Sequence, residues 1–556
     1  MAAIAGWIAG THGAADEGAL QAMLGTLAHR GVGGLVGYFQ RDRRRQAVLG
    51  ASLHDPAAQM ALSLDGRIAN ASELRARLSA HGFRFTGESS EEVLLRAYQY
   101  WDKDFVKQLR GAFALALWDA RKDRLLLARD RFGEKPLYLH QKGEALYFAS
   151  EAKALLRAGI PARVDPEALS DYLAYRYVPG PRTLFAGIRK LPPGCAAVWQ
   201  HGKLHEARYW SVPDRAPYVK NANARPLEGF LATLEEAVAL HPAEGILLSG
   251  GLDSAVLLAL AAARGGRPQT FSLGFEGDKA SELPHAAQVA RHFGAVHHEI
   301  VVAPHELVAH LEYMVACRDA PLSRASDLAL CRLAAEAGRQ VKSVLTGDGC
   351  DEVLGGYRRY ALAARLIAPF LGASGRGASA ARLKRDAAPP PAPRSDADPR
   401  ASALRRALYA DQTTHLPDEL LERNDRAAAA APVDARMPFL DHRVAEYVSG
   451  LPDEQRVRGL TTKRILREAA ERLLPTTLRK PVKAGWRLDV AGWLRHELRD
   501  FTLEHLQSRA SLTRQYYDAA VLDTMLAQHF RGRKNHGAAL WTLLNLELWH
   551  RTYAPG

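Results

Sequence analysis

The chain has 556 residues, 47% of them hydrophobic, and a formal net charge of +13 at neutral pH. This length exceeds what one hydrophobic core supports, so we expect two globular domains, each large enough to fold without disulfide bonds. The four cysteines, at positions 195, 317, 331 and 350, have no Cys-x-x-Cys spacing. That argues against a zinc site and against a secreted disulfide framework, and it favours the cytoplasm.

No membrane partner and no nucleic-acid partner is expected. The chain has no apolar run of about 18 residues, and it does not open with a basic segment followed by an apolar core. The densest basic run, residues 41–45, lies between two strand-like segments, and no basic stripe is interleaved with aromatic residues. The positive charge therefore suits an acidic small-molecule substrate.

Residues 1 to about 205 alternate short apolar strands with two helical stretches, near residues 15–28 and 90–108, which predicts a sandwich of sheets covered by helices. Six strings in this region resemble the glutaminase domain of glutamine-hydrolysing asparagine synthetases. They are Ala2–Trp7, Leu27–Gly31, Asp65–Asn70, Arg110–Ala114, Ala128–Tyr138 and Phe148–Glu151. The resemblance implies the N-terminal-nucleophile fold, an α+β sandwich.

The residues that carry glutamine hydrolysis in that family are changed here. In the family a Cys follows the initiator Met and attacks glutamine, whereas this chain has Ala2, whose side chain has no lone pair. The family's His-Arg-Gly-Pro-Asp-Gly is replaced by a string ending in Val32-Gly33-Gly34, and the Asp of its Asp-Thr-Glu string is replaced by Ser90. We expect that glutaminase activity was lost naturally, and that Asn70, an oxyanion-hole residue in the family, is now a turn residue.

A stretch rich in Pro and Gly, residues 172–193, predicts a linker. We assign residues 1–205 to a degenerate glutaminase-like domain and residues 206–556 to a second, synthetase domain. From about residue 225, strand-length apolar runs alternate with long helices, the pattern of a doubly wound α/β domain. In such folds, ligands bind beyond the carboxyl ends of the strands.

The clearest motif is Ile246-Leu247-Leu248-Ser249-Gly250-Gly251-Leu252-Asp253-Ser254. It predicts a buried strand over Gly245 to Leu248, a glycine turn, and a helix that opens at Ser254. The turn's N–H groups and the hydroxyls of Ser249 and Ser254 suit a phosphate, and Asp253 suits Mg²⁺. The alternative is an ordinary serine-capped turn. Ser-Gly-Gly-Leu-Asp-Ser resembles the pyrophosphate loop of N-type ATP pyrophosphatases, which implies ATP binding by residues 248–251, 253 and 254.

Two further strings complete the predicted nucleotide site. Residues 270–275 predict a second strand, and the resemblance places the backbone of Leu273 beside adenine. Residues 344–357 again predict a strand, a glycine-rich turn and a helix, whose three carboxylates need a facing cation. By resemblance, Thr346 and Gly347 contact ATP, and Asp351 joins Asp253 on Mg²⁺. Asp348 stands where asparagine synthetases carry Glu and β-lactam synthetases carry Tyr.

The resemblance continues towards the C-terminus. Lys463, at a predicted helix start, aligns with the family's catalytic Lys, and Lys483 lies in a string similar to its phosphate-binding Lys-x-Gly-Phe element. A lysine on a helix surface is ordinarily only solvated. Asp441 and His442 match a helix-break motif, and we interpret Asp441 as an N-cap, because adjacent residues of a helix face different directions. Residues 372–402, rich in Ala, Pro, Arg and Ser, predict a mobile insertion or lid.

The reaction that this resemblance implies is amide formation. A carboxylate oxygen attacks the α-phosphorus of ATP, pyrophosphate leaves, and an amine then displaces AMP from the acyl-adenylate. Lys463 would stabilise the oxyanion of the second step, and Asp348 would hold that lysine or help to take the amine proton.

Without a glutaminase, the amine must be free ammonia or part of the substrate. We predict a lasso-peptide macrolactam cyclase, because the proline-rich insertion could cover a peptide, and because the family's Asp-Glu-Pro string reads Asp319-Ala320-Pro321 here, which indicates an altered acyl pocket. Its partners would be a precursor peptide and its leader protease, or a small carboxylate substrate. The alternatives are an ammonia-dependent asparagine synthetase, a β-lactam synthetase-like ring-closing enzyme, and a catalytically dead scaffold that binds nucleotide or peptide.

Overall fold

The computed structural model describes the chain except for residues 1–2, 11–16, 32–35, 42–44, 215–224, 279–280, 366–396, 480–485, 487 and 554–556. Several sequence-based predictions fall on the residues left out. Those predictions concern Ala2, the Val32-Gly33-Gly34 string, most of the insertion at 372–402, and Lys483.

The N-terminal half is built from antiparallel strands. They are β1 Ala5–Gly10, β2 Val36–Arg41, β3 Arg45–Ala51, β4 Leu53–Asp55, β5 Met60–Gly66, β6 Phe113–Asp119, β7 Arg124–Arg129, β8 Tyr138–Lys142, β9 Ala145–Ala149, β10 Ile188–Lys190, β11 Cys195–Gln200 and β12 Lys203–Arg208. Within the described residues they form two six-stranded sheets, with the orders β10-β8-β9-β1-β3-β2 and β12-β11-β7-β6-β5-β4.

The helices of this half are α1 Glu17–Thr26, α2 Ala71–Ala80, α3 Ser90–Trp101, α4 Ala152–Arg157 and α5 Pro166–Tyr175. The two predicted helical stretches correspond to α1 and to α3, which a 3₁₀ segment, Asp102–Gln108, extends. Strand β6 shows how the layers stack: its alternate residues Ala114, Ala116 and Trp118 pack in the core between the sheets. The residues between them, such as Leu115, pack in the core under α2 and α3. The result is a helix-sheet-sheet-helix sandwich.

The C-terminal half contains a parallel sheet. Its strands are β13 Gly245–Leu247, β14 Gln269–Phe275, β15 Val296–Val302, β16 Ser343–Leu345 and β17 Asp434–Arg436. In the described residues their order is β15-β14-β13-β16-β17. The chain thus adds β14 and β15 on one side of β13, and then β16 and β17 on the other. This reversal between β13 and β16 is the topological switch point, where the fold opens a crevice for ligands.

The helices of the C-terminal half are α6 Pro226–Leu240, α7 Leu252–Ala262, α8 Leu283–His292, α9 Pro304–Val308, α10 Leu311–Arg318, α11 Ser326–Gly338, α12 Cys350–Leu354, α13 Arg358–Arg365, α14 Ala403–Thr413, α15 Glu422–Ala430, α16 His442–Gly450, α17 Asp453–Arg456, α18 Arg464–Leu473, α19 Val490–Arg495, α20 Arg499–Leu506, α21 Ala519–Phe530 and α22 Gly537–Tyr553. Helices such as α7, α8, α11 and α15 pack on the parallel sheet. A π-helical turn, Leu416–Leu421, leads into α15.

Each face of the sheet has its own core. Ile246 and Leu248 pack with helices such as α7 on one face, whereas Phe271 and Leu273 pack with α11 on the other. These layers confirm the predicted fold class, an α/β protein with an N-terminal sandwich followed by a doubly wound domain. In the part of the chain that the structure describes, no helix is long and apolar enough to cross a membrane.

Candidate active site

The predicted pyrophosphate loop connects β13 to α7 at the switch point. Gly250 has a φ of 63°, and a Cβ at this position would come within 3.1 Å of the carbonyl oxygen of Glu282, so the turn requires glycine. The Ser254 hydroxyl accepts a hydrogen bond from the backbone N–H of Ser249 at 3.2 Å and donates to the carbonyl of Gly251 at 3.2 Å. The helix starts at Leu252 with Gly251 as N-cap, two residues before the predicted start.

The loop from β16 to α12 lies directly against the first loop. A Cβ on Gly347 would lie 3.0 Å from the Cβ of Asp253, which shows how closely the two turns approach. Gly349, the N-cap of α12, has a φ of 80°. The two glycine turns therefore form one surface at the carboxyl ends of neighbouring parallel strands, as the sequence predicts for a nucleotide site.

Lys463 joins the two turns. Its Nζ lies 2.5 Å from Oδ2 of Asp253 and 2.7 Å from Oδ1 of Asp351, and the residue is 5% exposed. Lys463 is the N-cap of α18 and has a φ of 50°, a left-handed conformation that costs free energy in a non-glycine residue. Burial alone would lower the pKa of Lys463, but the carboxylates of Asp253 and Asp351 outweigh it and hold this pKa well above its usual range. The lysine therefore stays cationic at neutral pH.

The two carboxylates also fit Mg²⁺. They converge on one point, and Oδ1 of Asp253 is a buried atom that has no hydrogen-bond partner among the described residues. Within the described part of the chain, no group of three or more His, Cys, Asp or Glu side chains could hold a metal ion. Two carboxylates are nevertheless enough for Mg²⁺ at a nucleotide site, where phosphates and water complete its shell. Asp253 and Asp351 therefore fit, in composition and placement, as its protein ligands.

The two turns and Lys463 form the floor of a cavity of about 400 Å³. The predicted nucleotide and metal residues that line it are Leu248, Ser249, Gly251, Asp253, Ser254, Leu273, Thr346, Gly347 and Asp351. Gly250 is buried behind this surface. The carbonyl of Leu273 accepts a hydrogen bond from the indole N–H of Trp486 at 3.2 Å, so one edge of the cavity near this strand is aromatic.

Asp348 also lines the cavity, but it does not hold Lys463. The lysine is paired with Asp253 and Asp351 instead, and Oδ1 of Asp348 lies 4.0 Å from a guanidinium nitrogen of Arg423. Of the two alternative roles predicted for Asp348, holding Lys463 does not agree with the ion pairs of the described residues. Its other predicted role, helping to take the amine proton, stays a prediction.

The cavity has a cationic wall that sequence patterns do not reveal. Arg324 and Arg423 line it, and Arg324 is exposed, with no side-chain hydrogen bond or ion pair in the described residues. Burial and, next, the charge of Arg324 lower the pKa of Arg176. These arginines are isolated in sequence among 74 lysines and arginines, and no local motif marks them.

Glu352, the third carboxylate of the 344–357 string, had no predicted role of its own. Glu352 lines the cavity, and Tyr357 donates a hydrogen bond to its Oε1 at 2.5 Å. Burial and the neighbouring charge of Asp351 raise the pKa of Glu352 to about 7. The preceding residue Cys350 is fully buried, in agreement with its interpretation as a small filler.

Three other sequence-based interpretations can be checked in the structure. Asp441 caps α16 by accepting a hydrogen bond from the backbone N–H of Arg443 at 3.0 Å, as predicted. Asn70 is 3% exposed; its amide donates to the carbonyl of Gln108 at 3.0 Å and accepts from the N–H of Arg110 at 2.9 Å.

The Asp319-Ala320-Pro321 string lines a separate small cavity between the two halves, not the nucleotide cavity, so it gives no support for an altered acyl pocket.

Comparisons with known proteins cover both halves. The family described as Asparagine synthase matches residues 229–551, and the Glutamine amidotransferase domain matches residues 1–210. A Mycobacterium tuberculosis protein provisionally named as a glutamine-hydrolysing asparagine synthetase is 32% identical, over 88% of this chain and 84% of its own. Glutamine-hydrolysing asparagine synthetase 1 of Bacillus subtilis is 28% identical, over 87% and 84%. Among solved structures, the Bacillus subtilis glutamine phosphoribosylpyrophosphate amidotransferase covers 54% of this chain and 81% of its own, with 15% identity and a TM-score of 0.28.

Gly356→Ala tests the packing around the charged centre. The added Cβ would lie 1.7 Å from Oδ1 of Asp351 and 2.2 Å from Cε of Lys463, so we expect the centre to be displaced and stabilisation by MgATP to be lost. The measurement is the shift in melting temperature on adding MgATP. Gly450→Ala is the matched control, because a Cβ there meets nothing within 4 Å. Equal shifts in both variants would contradict the described packing.

Proposed function

Because the chain belongs to the asparagine synthetase family of ATP-dependent amide-forming ligases, we propose that it joins a carboxylate to an amine of the same substrate, as a lasso-peptide macrolactam cyclase. The carboxylate is first adenylated with release of pyrophosphate, and the amine then displaces AMP. The observation that carries the adenylation step is the convergence of two glycine turns, two carboxylates and Lys463 on one cavity at the switch point. A scaffold without chemistry would need no such charged centre.

The nucleotide is proposed to lie across the two turns. The backbone at Ser249 to Gly251 and the N-terminus of α7 would hold the β- and γ-phosphates, and the Leu273 edge would take the base. Mg²⁺, when bound by Asp253 and Asp351, would neutralise charge on the departing pyrophosphate. Lys463 contacts the same two carboxylates, so binding of the nucleotide complex requires this lysine to share or leave them. Its release would bring the ammonium towards the α-phosphorus and the acyl carbon.

The acyl substrate is proposed to lie along the cationic wall. The free guanidinium of Arg324 and the nearby Arg423 would attract a carboxylate and orient it towards the α-phosphorus, because charged donors bind carboxylates strongly in a partly buried site. Asp348 lies on the same side, next to Arg423. Asp348 would help to accept a proton from an attacking amine, whose own pKa of about 8 makes only modest assistance necessary.

The source of the amine is the part of the proposal that separates a cyclase from its relatives. Ala2 cannot attack glutamine, and the Asn70 amide already bonds to two backbone groups. These observations support an amine that arrives with the substrate.

Ammonia-dependent asparagine synthesis is the second candidate, since the named relatives are asparagine synthetases. The decisive experiment supplies MgATP with either L-aspartate and ammonium, or a linear peptide that carries a free N-terminal amine and an internal Asp or Glu. Mass spectrometry then distinguishes the products. A peptide that has lost one water, with AMP formed in equal amount, supports the cyclase. Asparagine supports the second candidate, and a ring closed on a small amino acid supports the β-lactam synthetase-like alternative. Absence of AMP with every substrate would support a dead scaffold.

Glutamine should not be hydrolysed, and Ala2→Cys alone should not restore hydrolysis. The thiol would supply a nucleophile, but the residues at Val32 to Gly34 and at Ser90 would still differ from those that recognise glutamine in the family. The side-chain amide of Asn70 also remains hydrogen-bonded to two backbone groups. Glutamate release is measured for the wild type and the variant, with a glutamine-hydrolysing relative as positive control. Release by the variant would show that the pocket is still competent.

Asp253→Asn and Asp351→Asn should each lower pyrophosphate exchange into ATP by about a hundredfold or more. Each change removes an anionic ligand from an ion that contributes several kcal/mol beside phosphates. Substrate-dependent exchange of labelled pyrophosphate is the measurement. Asp104→Asn, an exposed carboxylate on the sandwich, is the control and should behave like the wild type. Exchange at wild-type rates in either cavity variant would remove that residue from the metal site.

Lys463→Ala should separate the two chemical steps. If the ammonium stabilises the tetrahedral oxyanion, its loss should cost about 3–4 kcal/mol, or roughly 10²–10³ in rate, in amide formation. At saturating Mg²⁺ the exchange reaction should fall less, because the turns and the ion support adenylation. Exchange and amide product are measured in parallel, and the exposed Lys203→Ala provides the control. An equal fall in both would make Lys463 a phosphate or metal-site residue only.

A further inference from the structure

Helix α15 lies between the two halves and is bound from the N-terminal side by buried charges. Asp425 pairs with Lys135, whose Nζ lies 3.1 Å from Oδ1, and with the guanidinium of Arg30. At the next residue, Nη1 of Arg426 lies 2.6 Å from Oε1 of Glu151. At the start of the helix, Glu422 accepts hydrogen bonds from Lys190, at 2.7 Å, and from Tyr138. Three charged residues of one helix are thus fixed by the sandwich.

These contacts are excluded from water. Asp425 is 4% exposed and Arg426 2% exposed, and their partners Arg30 and Glu151 are 1% and 0% exposed. Burial alone would raise the pKa of Asp425, but Arg30 and Lys135 hold this pKa below its usual range. Removing one partner from such a set leaves an uncompensated buried charge, which a folded protein relieves by moving the groups or by admitting water. The helix therefore has little freedom to shift while the set is complete.

The same helix contributes to the active-site cavity. Arg423, one residue after Glu422, lines the cavity and lies 3.8 Å from Oδ1 of Asp327 and 4.0 Å from Oδ1 of Asp348. Leu420, in the π-helical turn before α15, lines it as well. By contrast, Asp253 and Asp351 lie on α7 and α12, and Lys463 caps α18. One element thus connects the buried charges of the sandwich to the acyl side of the cavity.

We infer that the N-terminal half acts on the reaction through α15, with Asp425 as a positioning residue that fixes Arg423 against the acyl substrate. The inference rests on the proposed function, because it assigns the carboxylate to the Arg423 side. It predicts that a change at Asp425 raises the KM for the carboxylate but leaves the KM for ATP nearly unchanged. A residue needed only for folding would lower the fraction of active protein and would leave the ratio of the two KM values unchanged.

The test uses Asp425→Asn in the full chain, with two measured KM values. The probes are MgATP and the carboxylate that gives product in the assay above, either the linear peptide or L-aspartate. The carboxylate KM should rise about three- to thirtyfold, the range found for residues that act on a site through packed neighbours, and the ATP KM should stay within about twofold. Arg423→Ala should likewise raise the carboxylate KM and leave the ATP KM nearly unchanged. Glu167→Gln, which alters an exposed ion pair of the sandwich, is the control and should change neither value.

Asp425→Asn combined with Lys135→Met provides the rescue. The double change removes the ammonium that the single Asp425→Asn change would leave without its carboxylate, while Arg30 keeps its ion pairs with Glu151 and Asp65. Replacing a buried ion pair by uncharged groups is often close to neutral. The carboxylate KM should therefore return towards the wild-type value. Three results would each overturn the inference. The first is a parallel change of both KM values in Asp425→Asn, and the second is a fall in kcat alone with a lower melting temperature. The third is an Arg423→Ala variant whose carboxylate KM and ATP KM change equally.

A measurement without substrate separates this inference from the proposed function. If the wild type forms no product with any probe, the proposed function fails, and hydrogen–deuterium exchange followed by mass spectrometry still tests the positioning. Asp425→Asn should then speed exchange at residues 416–427 and leave residues 248–255 as in the wild type, with the double variant again restored. Unchanged exchange at residues 416–427 would show that Asp425 does not fix this helix.

Discussion

The ammonium of Lys463 between the carboxylates of Asp253 and Asp351 is the interaction on which the site depends. The two acidic groups come from different strand-to-helix turns and would repel each other without a cation between them. Their approach requires Gly356, because any larger residue would overlap Asp351 and Lys463. It also requires Lys463 to start α18 in a left-handed conformation. The strained residue Lys463 and the small residue Gly356 thus lie where the charged side chains of three separate segments meet.

The switch point explains why this charge centre forms where it does. Strands β13 and β16 are neighbours in the sheet, but the chain leaves them in opposite directions, so their following turns are not covered by a connecting helix. Both turns can then expose backbone N–H groups and helix N-termini to the same cavity. The Arg324 and Arg423 wall comes from segments on the other side of this cavity. A phosphate chain and a carboxylate could therefore approach each other from two cationic sides.

The strand, turn and helix at residues 246–254 and at 344–357 could be predicted from sequence, because local rules determine them: apolar runs, glycine at tight turns and a helix start. The close approach of the two turns could also be predicted, because the carboxyl ends of neighbouring parallel strands lie at the same edge of a sheet. Other features depend on contacts between distant segments. The pairing of Lys463 with the two carboxylates joins segments that are far apart in the chain, and the positions of Arg324 and Arg423 at the cavity depend on how distant segments pack together. Neither leaves a local signal in the chain.

The buried charges of α15 also bear on why the chain keeps its N-terminal sandwich. Removing the sandwich would take Lys135 and Arg30 from Asp425, Glu151 from Arg426, and Lys190 and Tyr138 from Glu422. It would also expose the apolar surfaces packed beside them. Each such group must then be solvated or neutralised, at a cost of several kcal/mol for a buried ion. The energetics of the shared interface therefore give a structural reason for the chain to retain the sandwich, independent of any reaction that the sandwich itself carries out.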